Sequence, residues 1–217
     1  MTPRKITEAP LPYLWYEPET DAPLPLVVFL HGSGERGDDL EHVGDLGLAE
    51  ILAGLPEAAF VAAPQCPEER RWTDLIDELE HLLTELTERY PVDPARIYLT
   101  GLSLGGQGAW VWAARNPARF AALVPICGRS SPEDAAHLTA LPIWVFHGAY
   151  DEVVPLRESQ KMVEALAVVG HAVRFTVFLA TGHDSWTPAY RDPKLYTWLF
   201  AQRRPMARNN AARPPHP

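Results

Sequence analysis

The sequence predicts an α/β protein built on a single doubly wound, mostly parallel sheet with helices on both faces. Six short apolar runs, at residues 26–30, 59–63, 97–100, 122–126, 143–146 and 173–179, mostly lack polar alternation, as strands buried on both faces do. Helical patterns lie between several of them, and strands separated by helices of this length imply parallel βαβ units. The 217 residues, 47% hydrophobic, can bury one substantial core, and no repeat or break in composition marks a second domain.

Taken in order, residues 1–12 are expected to be loose and 13–16 to form an edge strand that opens a folded domain over 13–203. The clearest helix runs from about Thr73 to Tyr90. There Leu75, Leu79, Leu82, Leu86 and Tyr90 repeat at three to four residues, with Asp77, Glu78, Glu85 and Glu88 on the other faces. A second helix follows Ser103 through Ala109, Trp110, Ala113 and Ala114 and stops near Asn116-Pro117. A third opens near Pro155 and closes at Gly170, with Met162, Val163, Leu166 and Val169 on its apolar side. Between Ile126 and Ile143 only SSPEDAAHLTAL intervenes, enough for one short helix and too little for a large lid. Residues 204–217 have too few apolar side chains to fold and read as a disordered tail.

Composition excludes several classes of function. A formal charge of −9 leaves no basic stripe for nucleic acid and would be repelled by an anionic membrane. The two cysteines, Cys66 and Cys127, read as buried free thiols, and no cluster with metal-ligand spacing appears, so neither metal nor cofactor is expected. The start lacks the apolar core of a secretory signal and no run reaches ~18 apolar residues, which predicts a cytoplasmic protein unless an export segment has been removed. Homo-oligomerisation is left open.

The segment TGLSLGG places Ser103 between Gly101 and Gly105 where an apolar run ends and a helix begins. A strand-to-helix elbow lifts the hydroxyl to the carboxyl edge of the sheet, where ligands bind in open α/β sheets, and aims a helix N-terminus at it. By the motif alone, a helix-capping serine in a glycine-rich turn is an equal alternative. A serine nucleophile needs a base within hydrogen-bond reach and a group to orient that base. His183 follows the last apolar run at the same edge. His31 and His147 also follow strands, but each adjoins glycine, which favours a structural use in the turn. His42, His81, His137 and His171 lie in helical or linking segments, and His216 in the tail. Asp151, in the loop after residues 143–146, is the favoured acid over Asp184 and Glu152. Oxyanion donors would be the N–H of Leu104 and that of Ser33 in the loop HGSGERGDD, with Gly34 the second choice.

These blocks, with APQCPEERRW, FHGAYDEVVP and GHDSWTPAY, resemble the α/β-hydrolase superfamily. Within it they resemble the small carboxylesterases related to phospholipase/carboxylesterase, poly(hydroxyalkanoate) depolymerase-like and dienelactone-hydrolase-like proteins. The resemblance runs from Tyr13 to Arg203. It implies the α/β-hydrolase fold and hydrolysis of a small-molecule carboxylic ester through an acyl-enzyme, with Ser103 attacking, His183 moving the proton and Asp151 orienting the imidazole. Leu104 stands where the family often has Met, which is immaterial if only its N–H is used. Trp72 and Trp186 are expected as pocket walls and Gln65 as a partner for the ester, while Glu35, Arg36 and Asp38 are expected to be structural. Without a lid, the site should be open and suit short acyl chains, aryl esters or acetylated carbohydrates. A peptidase, a thioesterase or a non-catalytic binding protein on the same fold are the alternatives. Dienelactone chemistry proper typically uses a cysteine where this chain has Ser103.

Overall fold

The computed structural model describes residues 2–205. Eight strands form one sheet: β1 (Arg4–Ile6), β2 (Tyr13–Tyr16), β3 (Leu24–Leu30), β4 (Phe60–Pro64), β5 (Val92–Leu102), β6 (Ala122–Ile126), β7 (Trp144–Gly148) and β8 (Arg174–Phe178). Six helices accompany it: α1 (Leu48–Gly54), α2 (Ile76–Arg89), α3 (Leu104–Arg115), α4 (Arg157–Val168), α5 (Trp186–Tyr190) and α6 (Pro193–Phe200). The strand order is β1-β2-β4-β3-β5-β6-β7-β8, with the β1–β2 and β2–β4 pairings antiparallel and all the others parallel. From β3 the chain winds outward to β4, then returns and winds the other way from β5 to β8. The reversal opens a crevice at the carboxyl ends of β3 and β5.

All six predicted strands are present, and two apolar cores form on the two faces of the sheet. Leu79, Leu82, Leu83 and Leu86 of α2 pack with Leu26, Val28 and Leu99 on one face. Val27, Phe29 and Tyr98 pack with Tyr190, Leu195 and Leu199 on the other. Successive strand residues point to opposite faces, so a strand buried on both must be apolar throughout, which is why alternation is missing. Pro125 interrupts the middle of the sheet. Leu123 N–H donates to Pro142 O and Cys127 N–H to Phe146 O, while Pro125 between them has no N–H to give.

Three expectations are corrected. Residues 1–12 are not all loose: β1 pairs with β2, Arg4 opposite Trp15, so β2 is not the edge of the sheet. Arg4 and Lys5 are exposed and bridge to Glu17 and Glu41, so the strand is held by backbone and charge and carries no apolar signal. The predicted helix at 73–90 opens as a 3-10 turn over Trp72–Asp74, and the α-helix begins only at Ile76. The expected tail is anchored at its start, where Arg204 N–H donates to Ala95 O. Its remainder, 206–217, lies outside the described residues. The segment before β7 forms a short 3-10 helix, Pro132–His137. Among the described residues no helix is long and apolar enough to cross a membrane.

Candidate active site

Ser103 occupies the junction between β5 and α3 with φ 52° and ψ −113°, a conformation costly for a side chain bearing Cβ. Its surroundings hold it there. Ser103 N–H donates to Ile126 O at 2.9 Å and its carbonyl accepts from Gln107 N–H at 3.0 Å. The elbow closes only because its flanks lack side chains. A Cβ on Gly105 would lie 1.9 Å from Leu30 O, and one on Gly101 would lie 2.4 Å from Gly105 O.

Asp151 and His183, on the loops after β7 and β8, meet this serine. His183 Nδ1 lies 2.7 Å from Asp151 Oδ2, and a carboxylate can only accept, so Nδ1 carries the proton. Nε2 is then free to accept from Ser103 Oγ–H at 3.0 Å. Asp151 Oδ1 accepts from the N–H groups of Val153 and Val154 at 2.9 and 2.8 Å, which fixes the carboxylate plane. The alternative acids do not reach the ring: Asp184 caps Thr187 N–H instead. His147 is structural, as its place in the turn suggested. Its Nε2–H donates to Val154 O at 2.8 Å, its Nδ1 meets Ser159 Oγ at 2.7 Å, and burial lowers its pKa.

The HGSG loop is built from below. Cys66 N–H donates to His31 Nε2 at 3.0 Å, so His31 Nδ1–H donates to Gly32 O at 2.7 Å, and burial pushes this imidazole down to about 4. Gly37 N–H donates to Cys66 O, and Arg36 donates to Ser33 O at 3.2 Å and Arg70 O at 3.3 Å. Glu35 is 3% exposed, and burial raises its carboxyl pKa. Ser33, Ser103 and Leu104 line one cleft of about 230 Å³, which Gly34 does not line.

Two expected substrate contacts are corrected. Trp72 is 0% exposed, its Nε1–H donating to His31 O at 2.9 Å, so neither ring face is open to a ligand. Gln65 is 1% exposed and donates from Nε2 to Asp39 O at 2.8 Å and Glu35 O at 3.2 Å. Both residues brace the HGSG loop. Trp186 stands edge-on to His183, ring centroids 5.4 Å apart, and like His183 is not among the residues that line the cleft. Arg36, expected to be structural, lines it instead, together with Arg71, Gln107 and Arg129, which the sequence reading did not single out. Arg129 stands just beyond β6, so the carboxyl-edge rule that picked out Asp151 would have found it. Cys127 Sγ lies within 4.8 Å of ligand atoms of Asp151 and His183, but burial pushes its thiol up to about 12 and keeps it protonated.

Known proteins resemble the chain in sequence and in fold. The chain matches the Dienelactone hydrolase family over residues 58–193. It is 32% identical over 195 residues to a Methylorubrum extorquens protein provisionally named a carboxymethylenebutenolidase, covering 75% of this chain and 66% of that one. It is 36% identical over 108 residues to S-formylglutathione hydrolase of Rattus norvegicus, covering 47% of this chain and 36% of that one. The crystal structure of a thermostable esterase superposes with a TM-score of 0.80 at 32% identity, covering 93% of this chain and 63% of that one. The chain spans from 36% to 72% of the length of the curated relatives it matches. A family match over more than half of the chain, on a sheet wound in this order, makes it a member of the dienelactone hydrolase family with the α/β-hydrolase fold.

Proposed function

We propose that the protein is a serine esterase that hydrolyses carboxylic esters through an acyl-enzyme. The observation that carries this is the continuous relay from Ser103 Oγ through His183 to Asp151, at 3.0 and 2.7 Å, with the proton on Nδ1. His183 Nε2 takes the hydroxyl proton as Oγ attacks the carbonyl carbon, and Asp151 faces the imidazolium that results. The oxyanion is met by the N–H of Leu104 at the start of α3 and that of Ser33. The imidazolium then protonates the leaving alcohol. Water, deprotonated by the same Nε2, releases the acid and restores Ser103.

Among the described residues the segment between β6 and β7 holds only a short 3-10 helix and no large lid, so short acyl chains are favoured over long ones. A p-nitrophenyl ester series is expected to peak at short chains, and a maximum at long chains would remove that preference. The relay itself is tested by a fluorophosphonate probe. Wild-type protein is expected to be labelled at Ser103, while Ser103→Ala takes no label and loses on the order of 10⁶-fold in kcat with its circular dichroism unchanged. Labelling that persists in Ser103→Ala would refute the assignment. Equal turnover by His183→Ala and wild type would show that another group is the base.

A further inference from the structure

The cleft over Ser103 is cationic in an acidic protein. Arg36, Arg71 and Arg129 line it, and no acidic residue does. Elsewhere arginines are matched. Arg4, Arg70, Arg89, Arg96, Arg115, Arg119, Arg157, Arg191 and Arg203 each have a carboxylate within 4.0 Å. Arg174 lies over the rings of Trp144 and Trp198, and Arg204 donates to Ala118 O. Among the described residues the guanidinium groups of Arg71 and Arg129 have no such partner, and both stand exposed at this one cleft. In a chain with 28 acidic residues, these two guanidinium groups without a carboxylate partner stand together beside Ser103. A cleft lined by one sign of charge also draws in counter-charged ligands.

We propose that the ester opened here carries a phosphate group, held by Arg71 and Arg129 at the mouth while the ester carbonyl lies over Ser103; this rests on the serine-esterase reading. A carboxylate is saturated by one bidentate guanidinium, whereas a phosphate monoester presents three oxygens and close to two negative charges. Three loops, after β3, β4 and β6, each bring one guanidinium to the cleft, which matches the second pattern. Arg36 is already committed to Ser33 O and Arg70 O, so it supplies charge, and the two free forks supply the contacts.

The test compares three acetate esters of similar phenols: 4-acetoxyphenyl phosphate, 4-acetoxybenzoate and neutral 4-methoxyphenyl acetate, each corrected for spontaneous hydrolysis. At low ionic strength kcat/KM for the phosphate ester is expected to exceed that for the neutral one by about 10-fold or more, with the carboxylate between. The ratio should shrink in 0.5 M NaCl and fall toward one in Arg71→Gln/Arg129→Gln. A readout independent of turnover is binding of phenyl phosphate to Ser103→Ala, followed by ³¹P NMR, which the two substitutions should abolish. Hydrolysis of the neutral ester with no phosphate preference overturns the inference and leaves the esterase standing. A carboxylate preferred to the phosphate overturns it in favour of a monoanionic substrate. Phenyl phosphate binding without turnover of any ester supports the anion site and overturns the esterase.

Discussion

Side chains at the carboxyl edge of the sheet divide into two sets, one joined in the hydrogen-bonded chain that ends at Ser103 and one that holds the loops in place. Ser103, His183 and Asp151 belong to the first, while His31, Gln65 and Trp72 belong to the second. Gln65 tests this division. Gln65→Ala leaves the carbonyl of Glu35 without its donor and that of Asp39 with His42 N–H alone, at a cost of about 1–3 kcal/mol in folding free energy. Because the loop that carries Ser33 loosens, kcat is expected to fall while KM changes little. A rise in KM at constant kcat would return Gln65 to the substrate. The position of these residues after a strand is readable in sequence, but their depth is not, since depth depends on which loops fold over them. Arg71 and Arg129 went unnoticed for a related reason: what distinguishes them is a lack of partners, which no local pattern records.

At the scale of elements, the elbow between β5 and α3 shows how closely backbone segments are packed. Gly105 passes Leu30 of β3 with no room for a methyl group, its hypothetical Cβ 1.9 Å from a carbonyl oxygen that cannot move without breaking the strand. Gly105→Ala is therefore expected to destabilise the fold by about 3 kcal/mol or more. Gly34→Ala, with nothing within 4 Å of its Cβ, should stay within about 0.5 kcal/mol of wild type. Urea unfolding of both variants measures the contrast, and equal midpoints would show that the elbow relaxes. The glycines of TGLSLGG were legible as an elbow because strand, nucleophile and helix follow one another in sequence. The strand β1 was not, since its residues are exposed and its pairing with β2 is decided by the backbone.

For the whole molecule, the buried histidines set the response to acid. His31 has a folded pKa of about 4 against an ordinary value of 6.5, so between these two pH values the unfolded chain binds a proton that the folded chain refuses. Stability is therefore intact above about pH 6.5 and declines as the pH falls toward 4, by about 3 kcal/mol from His31 alone. His147, also lowered by burial, acts in the same direction. Glu35 opposes them, because its raised pKa makes the folded state the better proton acceptor just above the ordinary carboxylate range. Histidine ring signals in NMR separate these contributions: His31 should keep its neutral-form shifts down to about pH 5. A His31 midpoint near 6.5 would remove its share of the acid loss.

The α/β class, the six parallel strands and the order Ser103, Asp151, His183 are legible along the chain, because periodicity, punctuation and residues that follow strands are local properties. Only the tertiary structure decided which donors brace the HGSG loop, which tryptophans are sealed away and where the unmatched arginines gather. Those depend on contacts between segments distant in sequence. Burial, pairing and charge balance are properties of the assembled surface, and they come into being only when the strands lie side by side.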